Sequence, residues 1–197
     1  MTKFDRSFWE ERWSRALDEH GDTGALRTAS PHLTKVFAAV PPGRALDAGC
    51  GHGAESIWLA GHGWEVTGVD FSPTALEAAH STADSFGSDI ANRTEWIERD
   101  LGVWTPEPEH YDLVLSLFVH IVGSVEEFVV RMASAVRPGG TLFLVGHHPL
   151  DQNQVSAQSA IDALAEDPWE IHVAEDRERP AGDGVDAVFH ADKPWGP

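Results

Sequence analysis

The chain has 197 residues, 42% of them hydrophobic and 23% charged, a size and balance that suit one globular domain with at most a short appendage. Its 32 Asp and Glu outnumber 14 Lys and Arg, a formal charge of −18, which repels phosphate backbones and anionic lipid and argues against nucleic acid as a partner. No run approaches the roughly 20 apolar residues that span a bilayer, the N-terminal MTKFDRSFWEERW lacks the regions of a signal peptide, and a single cysteine, Cys50, excludes an intrachain disulfide framework. The expectation is a cytoplasmic protein with no membrane association and no metal.

Ser7 followed by Glu10 is a capping-box pattern, and Trp9, Trp13, Ala16 and Leu17 recur at helical spacing, which predicts an amphipathic helix from about Phe8 to about Leu17. A second helix, about His32 to Val40, ends against Pro41, Pro42 and Gly43. The expected organisation is a helical segment over 1–40 and a main domain over 41–197. Arg44 to Ala48 is a short apolar strand that opens into Gly49, Cys50, Gly51, His52 and Gly53, and Glu55 to Ala60 reads as a helix. Glu65 to Asp70 is the next strand, after which Ser72 and Pro73 supply an N-cap and a first helical proline before TALEAAHSTADSF. Thr94 to Glu98 and Tyr111 to Leu117 give a third and a fourth strand. Ser124 with Glu127 caps a helix that buries Val125, Phe128, Val129, Met132 and Val136 and stops at Arg137-Pro138-Gly139-Gly140.

Thr141 to Val145 is a fifth strand with almost no polar residue, the pattern of a strand covered on both faces, and it leads into His147 and His148. A helix from about Val155 to Leu164 precedes two last strands, Trp169 to Ala174 and Val185 to Ala191, which flank the turn-rich ERPAGDG and are expected to form a hairpin. Strands alternating with helices predict an α/β fold: a doubly wound, mostly parallel seven-stranded sheet with an antiparallel C-terminal hairpin strand.

In such a sheet, ligands bind beyond the carboxyl ends of the strands near the switch point, where the first strand delivers Gly49 to Gly53. The glycines let backbone approach a ligand, and Asp70, ending the second strand, is placed to accept from ribose hydroxyls. Both features point to a nucleoside-containing cofactor and leave its identity open, because Gly49, Gly51 and Ala54 also satisfy the dinucleotide fingerprint G-x-G-x-x-G/A. The string Asp47 to Gly53 is followed in order by the acid in GVDFSP, the aspartate in ERDL, YDLVLSLFVH and RPGG before an apolar strand. This series resembles the class I S-adenosylmethionine-dependent methyltransferase family over about Leu33 to Ala191. The resemblance implies a Rossmann-like fold, S-adenosylmethionine as cofactor and S-adenosylhomocysteine as product. It also implies that the methionine end lies over Asp47, Gly49 and Gly51, with Cys50 between them in the loop, and that the ribose diol rests on Asp70. Phe71 would lie beside the adenine, Asp100 would accept from its amino group, Leu101 would supply a backbone N–H or an apolar wall, and Ser116 would line the methionine side.

Methyl transfer from a sulfonium needs the nucleophile held in line and water excluded, and it needs a base only for a protonated nucleophile. His120 beyond the fourth strand is the first candidate for that base, followed by His147 and His148 beyond the fifth. The three histidines have no spacing diagnostic of a metal. LSLFVH lacks the Asn/Asp-Pro-Pro-aromatic signature that resembles amino-methylating nucleic-acid enzymes, and no long insertion follows the fifth strand, so a small-molecule acceptor is expected. Its nucleophilic atom (O, S, N or a chalcogen) and the oligomeric state are open. Phe8, Trp9 and Trp13 lie in FWEERW, a string similar to the opening helix of thiopurine- and tellurite-type methyltransferases, and either form a lid or anchor their helix on the sheet. Two alternatives stand beside this one: an NAD-dependent oxidoreductase, which would leave the later motifs unexplained, and a non-catalytic cofactor-binding protein of the same fold.

Overall fold

The computed structural model describes residues 6–24, 28–148, 154–179 and 184–196; the side chains of 16–24 and 148 lie outside the described part. The chain divides into two compact units, Met1–Asp100 and Leu101–Pro197. Seven strands run in the order β3-β2-β1-β4-β5-β7-β6, parallel except where β7 meets β5 and β6, with helices in the crossovers. This is the doubly wound α/β sheet expected from the alternation of strands and helices.

The first unit contains α1 (Arg6–Gly24), α2 (Pro31–Phe37), β1 (Arg44–Ala48), α3 (Ala54–Gly61), β2 (Glu65–Asp70), α4 (Pro73–Ser85), α5 (Ser88–Ala91) and β3 (Thr94–Glu98). As described, α1 already begins at Arg6, so Ser7 sits inside the helix and is not its N-cap. Whether Ala16 and Leu17 continue the apolar stripe lies outside the described residues. Ser72 caps α4 by accepting from the Ala75 N–H at 3.1 Å, with Pro73 in the first turn, as its sequence signature required. The parallel register Ala48↔Val69 and Asp70↔Glu98 brings the carboxyl ends of β1, β2 and β3 to one edge.

The second unit contains β4 (Tyr111–Leu117), α6 (Val125–Ala135), β5 (Val136–His148), α7 (Ala157–Ala163), β6 (Glu170–Glu178) and β7 (Val185–Asp192). Leu113, Leu115, Leu142 and Leu144 are fully buried, and truncating one of them to alanine would cost about 2–5 kcal/mol. α6 runs straight into β5, so RPGG is part of the strand and not a separate stop. The ladder jumps from Tyr111↔Val136 to Leu113↔Thr141, and Gly140 is required at the jump because a Cβ there would meet the Asp112 carbonyl oxygen at 2.9 Å. Gly139 and Gly140 exchange backbone bonds with Lys193 at 2.9 and 2.8 Å. The C-terminal hairpin joins the sheet through its second strand. β7 is mostly buried and pairs on both sides, which leaves the charged and largely exposed β6 as the edge, where charge discourages pairing with other chains. Among the described residues no helix is long and apolar enough to cross a membrane.

Candidate functional site

β1 ends in Asp47 and Ala48, and the next five residues turn sharply into α3. Gly49, Gly51 and Gly53 have φ of 88°, 51° and 78°, a region that side chains with a Cβ resist. The turn is clamped to β2: the Gly49 and Cys50 N–H groups donate to the Val69 carbonyl at 2.7 and 3.1 Å, and the Gly51 N–H donates to Asp70 Oδ2 at 3.0 Å. Asp70 Oδ1 accepts from the Ser72 N–H at 3.0 Å. One carboxylate therefore fixes both the glycine loop and the entry to α4.

Asp47 is 2% exposed and accepts from Ser56 Oγ at 2.6 Å. Burial first, then the nearby Glu55 and Asp70 charges, push its carboxyl up from 3.8 to about 8, against the Ser56 hydrogen bond. Asp70 is also pushed up by burial, opposed by the backbone N–H groups of Ser72, Gly51 and Phe71, with Glu10 adding a further upward push. The same surroundings raise the buried Cys50 thiol, by burial and then by Asp47 and Asp70, so Cys50 stays a neutral thiol and is no nucleophile. Acidic groups thus crowd a loop whose backbone and carboxylates suit a cationic, hydroxyl-bearing ligand better than an anion.

α1 covers this loop. A Cβ on Gly51 would lie 3.1 Å from Trp13 Cζ2, and the Trp13 and His52 rings meet edge-on at 4.2 Å. Trp9 meets Trp13 at 6.1 Å and Phe8 meets Trp9 at 5.4 Å, so of the three aromatics Trp13 touches the loop and the other two brace it. Arg6 at the start of α1 donates to the Phe71 carbonyl and to Glu98, and its guanidinium lies 6.0 Å from the Phe71 ring. Glu10 Oε1 is buried with no hydrogen-bond partner among the described residues, which leaves a costly acceptor. Asp100 is exposed at the end of the first unit.

In the second unit, Leu101 and Ser116 are buried, and the Leu101 carbonyl accepts from Arg131 at 3.0 Å. β4 is followed directly by Phe118 at φ 60°, a conformation costly for a residue with a Cβ, and its ring stacks on His147 at 4.3 Å. Gln154 joins His120 to His147: its Oε1 accepts from the His147 backbone N–H at 2.8 Å, and its Nε2 lies 2.7 Å from His120 Nε2. With the amide oxygen so fixed, the amide N–H donates to His120 and sets Nε2 of that ring as the acceptor. His147 Nδ1 lies 2.9 Å from Arg179 and 3.3 Å from Asp186, which themselves pair at 2.8 Å. His120 and His147 are therefore brought together as expected, while the His148 side chain lies outside the described residues.

Glu10 was read in the sequence only as part of a capping box, and Ser56, Gln154, Arg179 and Asp186 were not singled out. Only Ser56 had a local signal, one turn into the helix that follows the glycine loop.

Residues 45–140 match a family described as "Methyltransferase domain". The trans-aconitate 2-methyltransferase of Paracidovorax citrulli is 27% identical over 161 residues, 80% of this chain and 58% of that protein. A protein of Arabidopsis thaliana named "Probable thiol methyltransferase 2" is 26% identical over 178 residues, 89% of this chain and 72% of its own length. Among solved structures, TehB from Haemophilus influenzae superposes with a TM-score of 0.69 at 18% identity, over 90% of this chain and 65% of that one; the likeness is one of fold. The chain spans about a third to three fifths of the length of the first curated relatives it matches, which include a ribosomal RNA methyltransferase.

Proposed function

We propose that the chain is a class I S-adenosylmethionine-dependent methyltransferase that transfers a methyl group to a small-molecule acceptor, a reading supported by the match of residues 45–140 to a methyltransferase domain family. The observation that carries this reading is the pair of buried aspartates, Asp47 and Asp70, flanking a positive-φ glycine loop beneath Trp13. When bound, S-adenosylmethionine supplies a methyl group on a sulfonium, already activated for in-line displacement.

Asp47 and the orphaned Glu10 oxygen are the acceptors for the ammonium of the methionine end, and holding that cation requires Asp47 to release its proton. Asp70 has about four acceptor positions, so besides its backbone donors it accepts from the ribose diol. Gly49, Cys50 and Gly51 form the loop under the methionine end, and Phe71 offers an apolar face to the adenine. The resemblance adds Asp100 and Leu101 at the adenine and Ser116 on the methionine side. Trp13, braced by Trp9 and Phe8, serves as the lid that keeps water from the sulfonium.

For an acceptor that must lose a proton, His120 is the base. Its Nε2 lone pair is occupied by the Gln154 amide, so taking a proton there requires this hydrogen bond to break or the Gln154 side chain to turn. His147 and His148 are the reserve bases; His147 is held by Phe118, Arg179 and Asp186. For an acceptor that is already a nucleophile, such as a thiolate, holding it in line suffices. The charge of −18 and the names of the small-molecule relatives support a small acceptor over RNA.

The test is formation of S-adenosylhomocysteine from S-adenosylmethionine with panels of small carboxylic acids, phenols and thiols, and with ribosomal RNA as a control. Turnover that depends on a small-molecule class, with none on RNA, is the expected result. Turnover on RNA alone, or cofactor binding with no turnover on any panel, contradicts it.

A further inference from the structure

His172 and the pair His190 and Asp192 come from neighbouring strands, β6 and β7, and each offers one ligand atom within 4.8 Å of the others. His190 and Asp192 stand two residues apart on β7 and so share a face of the sheet. β6 would ordinarily set one residue against each of them, but its ladder slips between Ile171 and Val173. His172 is the extra residue of that bulge, and bulges re-aim a side chain and recur beside functional sites. Here the bulge brings His172 Nε2 to 2.8 Å from Asp192 Oδ2 and its ring centroid to 4.9 Å from that of His190. His190 Nε2 lies 3.9 Å from Asp192 Oδ1.

The cluster is also supported from behind by β5. Thr141 Oγ1 donates to Asp192 Oδ1 at 2.6 Å, and the His190 ring meets the buried Phe143 edge-on at 5.8 Å. Partners of this kind fix the orientation of metal ligands. Bonds of about 2.0–2.2 Å to nitrogen and oxygen in a tetrahedral site put ligand atoms roughly 3.3–3.5 Å apart, which falls between the two nitrogen–oxygen separations seen here.

We propose that His172, His190 and Asp192 bind a divalent cation of the zinc type, which ties the edge strand β6 to β7 and keeps a fourth position open to solvent. Two imidazoles and one carboxylate are a donor set that zinc accepts in three-ligand sites. The proposal is independent of the methyl-transfer reading, since none of the three residues takes part in it.

The test is calorimetric titration of chelator-treated protein with zinc chloride, repeated with cobalt chloride while visible absorption is followed. About one saturable equivalent is expected, with cobalt absorption of tetrahedral type and a rise in melting midpoint on zinc addition. His172→Ala removes a ligand at an exposed edge, so it should leave the metal-free midpoint near that of the parent protein while weakening zinc binding by at least about tenfold. His190→Gln should do the same, and Thr141→Val should weaken binding less, within the roughly 10- to 100-fold range of supporting partners. Absence of saturable binding, or unchanged affinity and stoichiometry in His172→Ala, overturns the proposal. Unchanged binding in that variant would assign the metal to others of the chain's 11 histidines.

Discussion

Asp47 should make the stability of the ligand-free protein depend on pH in a way that Asp47→Asn abolishes. Burial, Glu55 and Asp70 hold its carboxyl at about 8 in the folded state, whereas the unfolded chain titrates near 3.8. Between those values the folded protein keeps a proton that the unfolded chain has lost. The stability contributed by the site is therefore complete below about pH 4 and is lost as pH rises towards 8. Each pH unit inside that window is worth about 1.4 kcal/mol, and allowing for partial titration near 8 the loss from pH 6 to pH 8 is about 2 kcal/mol. In a chain of this size that corresponds to a fall of about 4–8 °C in melting midpoint. Asparagine keeps the shape and an acceptor for Ser56 but carries no titrating proton. The difference in midpoint between Asp47→Asn and the parent protein, read by thermal denaturation at matched ionic strength, should move by about that amount in favour of the variant from pH 6 to pH 8. Parallel pH profiles for the two proteins would refute the argument, because they would mean that Asp47 in the folded protein has already lost its proton by pH 6, as it has in the unfolded chain.

Asp70→Ala should weaken S-adenosylmethionine binding by about 1.5–3 kcal/mol, roughly 10- to 150-fold; calorimetric affinity equal to the parent value would remove Asp70 from the ribose assignment. Trp13→Ala should speed cofactor dissociation in stopped-flow measurements and leave the melting midpoint of the ligand-free protein within a few degrees, and an unchanged dissociation rate would make Trp13 an anchor and not a lid. With an acceptor that carries a proton, His120→Ala should lower kcat by about 10²- to 10⁴-fold with cofactor affinity intact. Parent-like turnover in that variant would move the base to another group.

The central strands were legible because β1, β4 and the Thr141–Val145 part of β5 are apolar runs next to turn residues, and Ser72-Pro73 and Ser124 with Glu127 mark helix starts that the structure keeps. The glycine loop and its two aspartates were legible for a related reason: positive φ and close backbone approach leave glycine as the residue of choice, and the acid at the end of β2 sits a fixed crossover away. Contacts made across the sheet were not. Nothing near Gln154 announces that it will bridge His120 and His147, since the three meet only when β4, β5 and the segment before α7 converge. Arg6 and Glu10 were hidden for the same reason, as their roles depend on where α1 lies over the loop. The pairing of β7 with β5 could have been read from composition, because DAVFHA is the more apolar half of the hairpin and belongs inside. The bulge at His172 leaves no mark in the sequence, so a histidine and a second histidine 18 residues later (190 − 172) gave no reason to expect a cation, and the sequence reading expected none.

The most direct measurement is a thermal-shift titration of the protein with S-adenosylmethionine, S-adenosylhomocysteine and NADH side by side. A ligand at about 100 times its dissociation constant adds roughly 2.7 kcal/mol of stability, which is about 5–10 °C for a chain of this length. The expected result is a shift of that order with both sulfur nucleosides and none with NADH. A shift with NADH alone, or none with either sulfur nucleoside at concentrations that saturate related domains, would contradict the assignment of the glycine loop, Asp47 and Asp70 to S-adenosylmethionine.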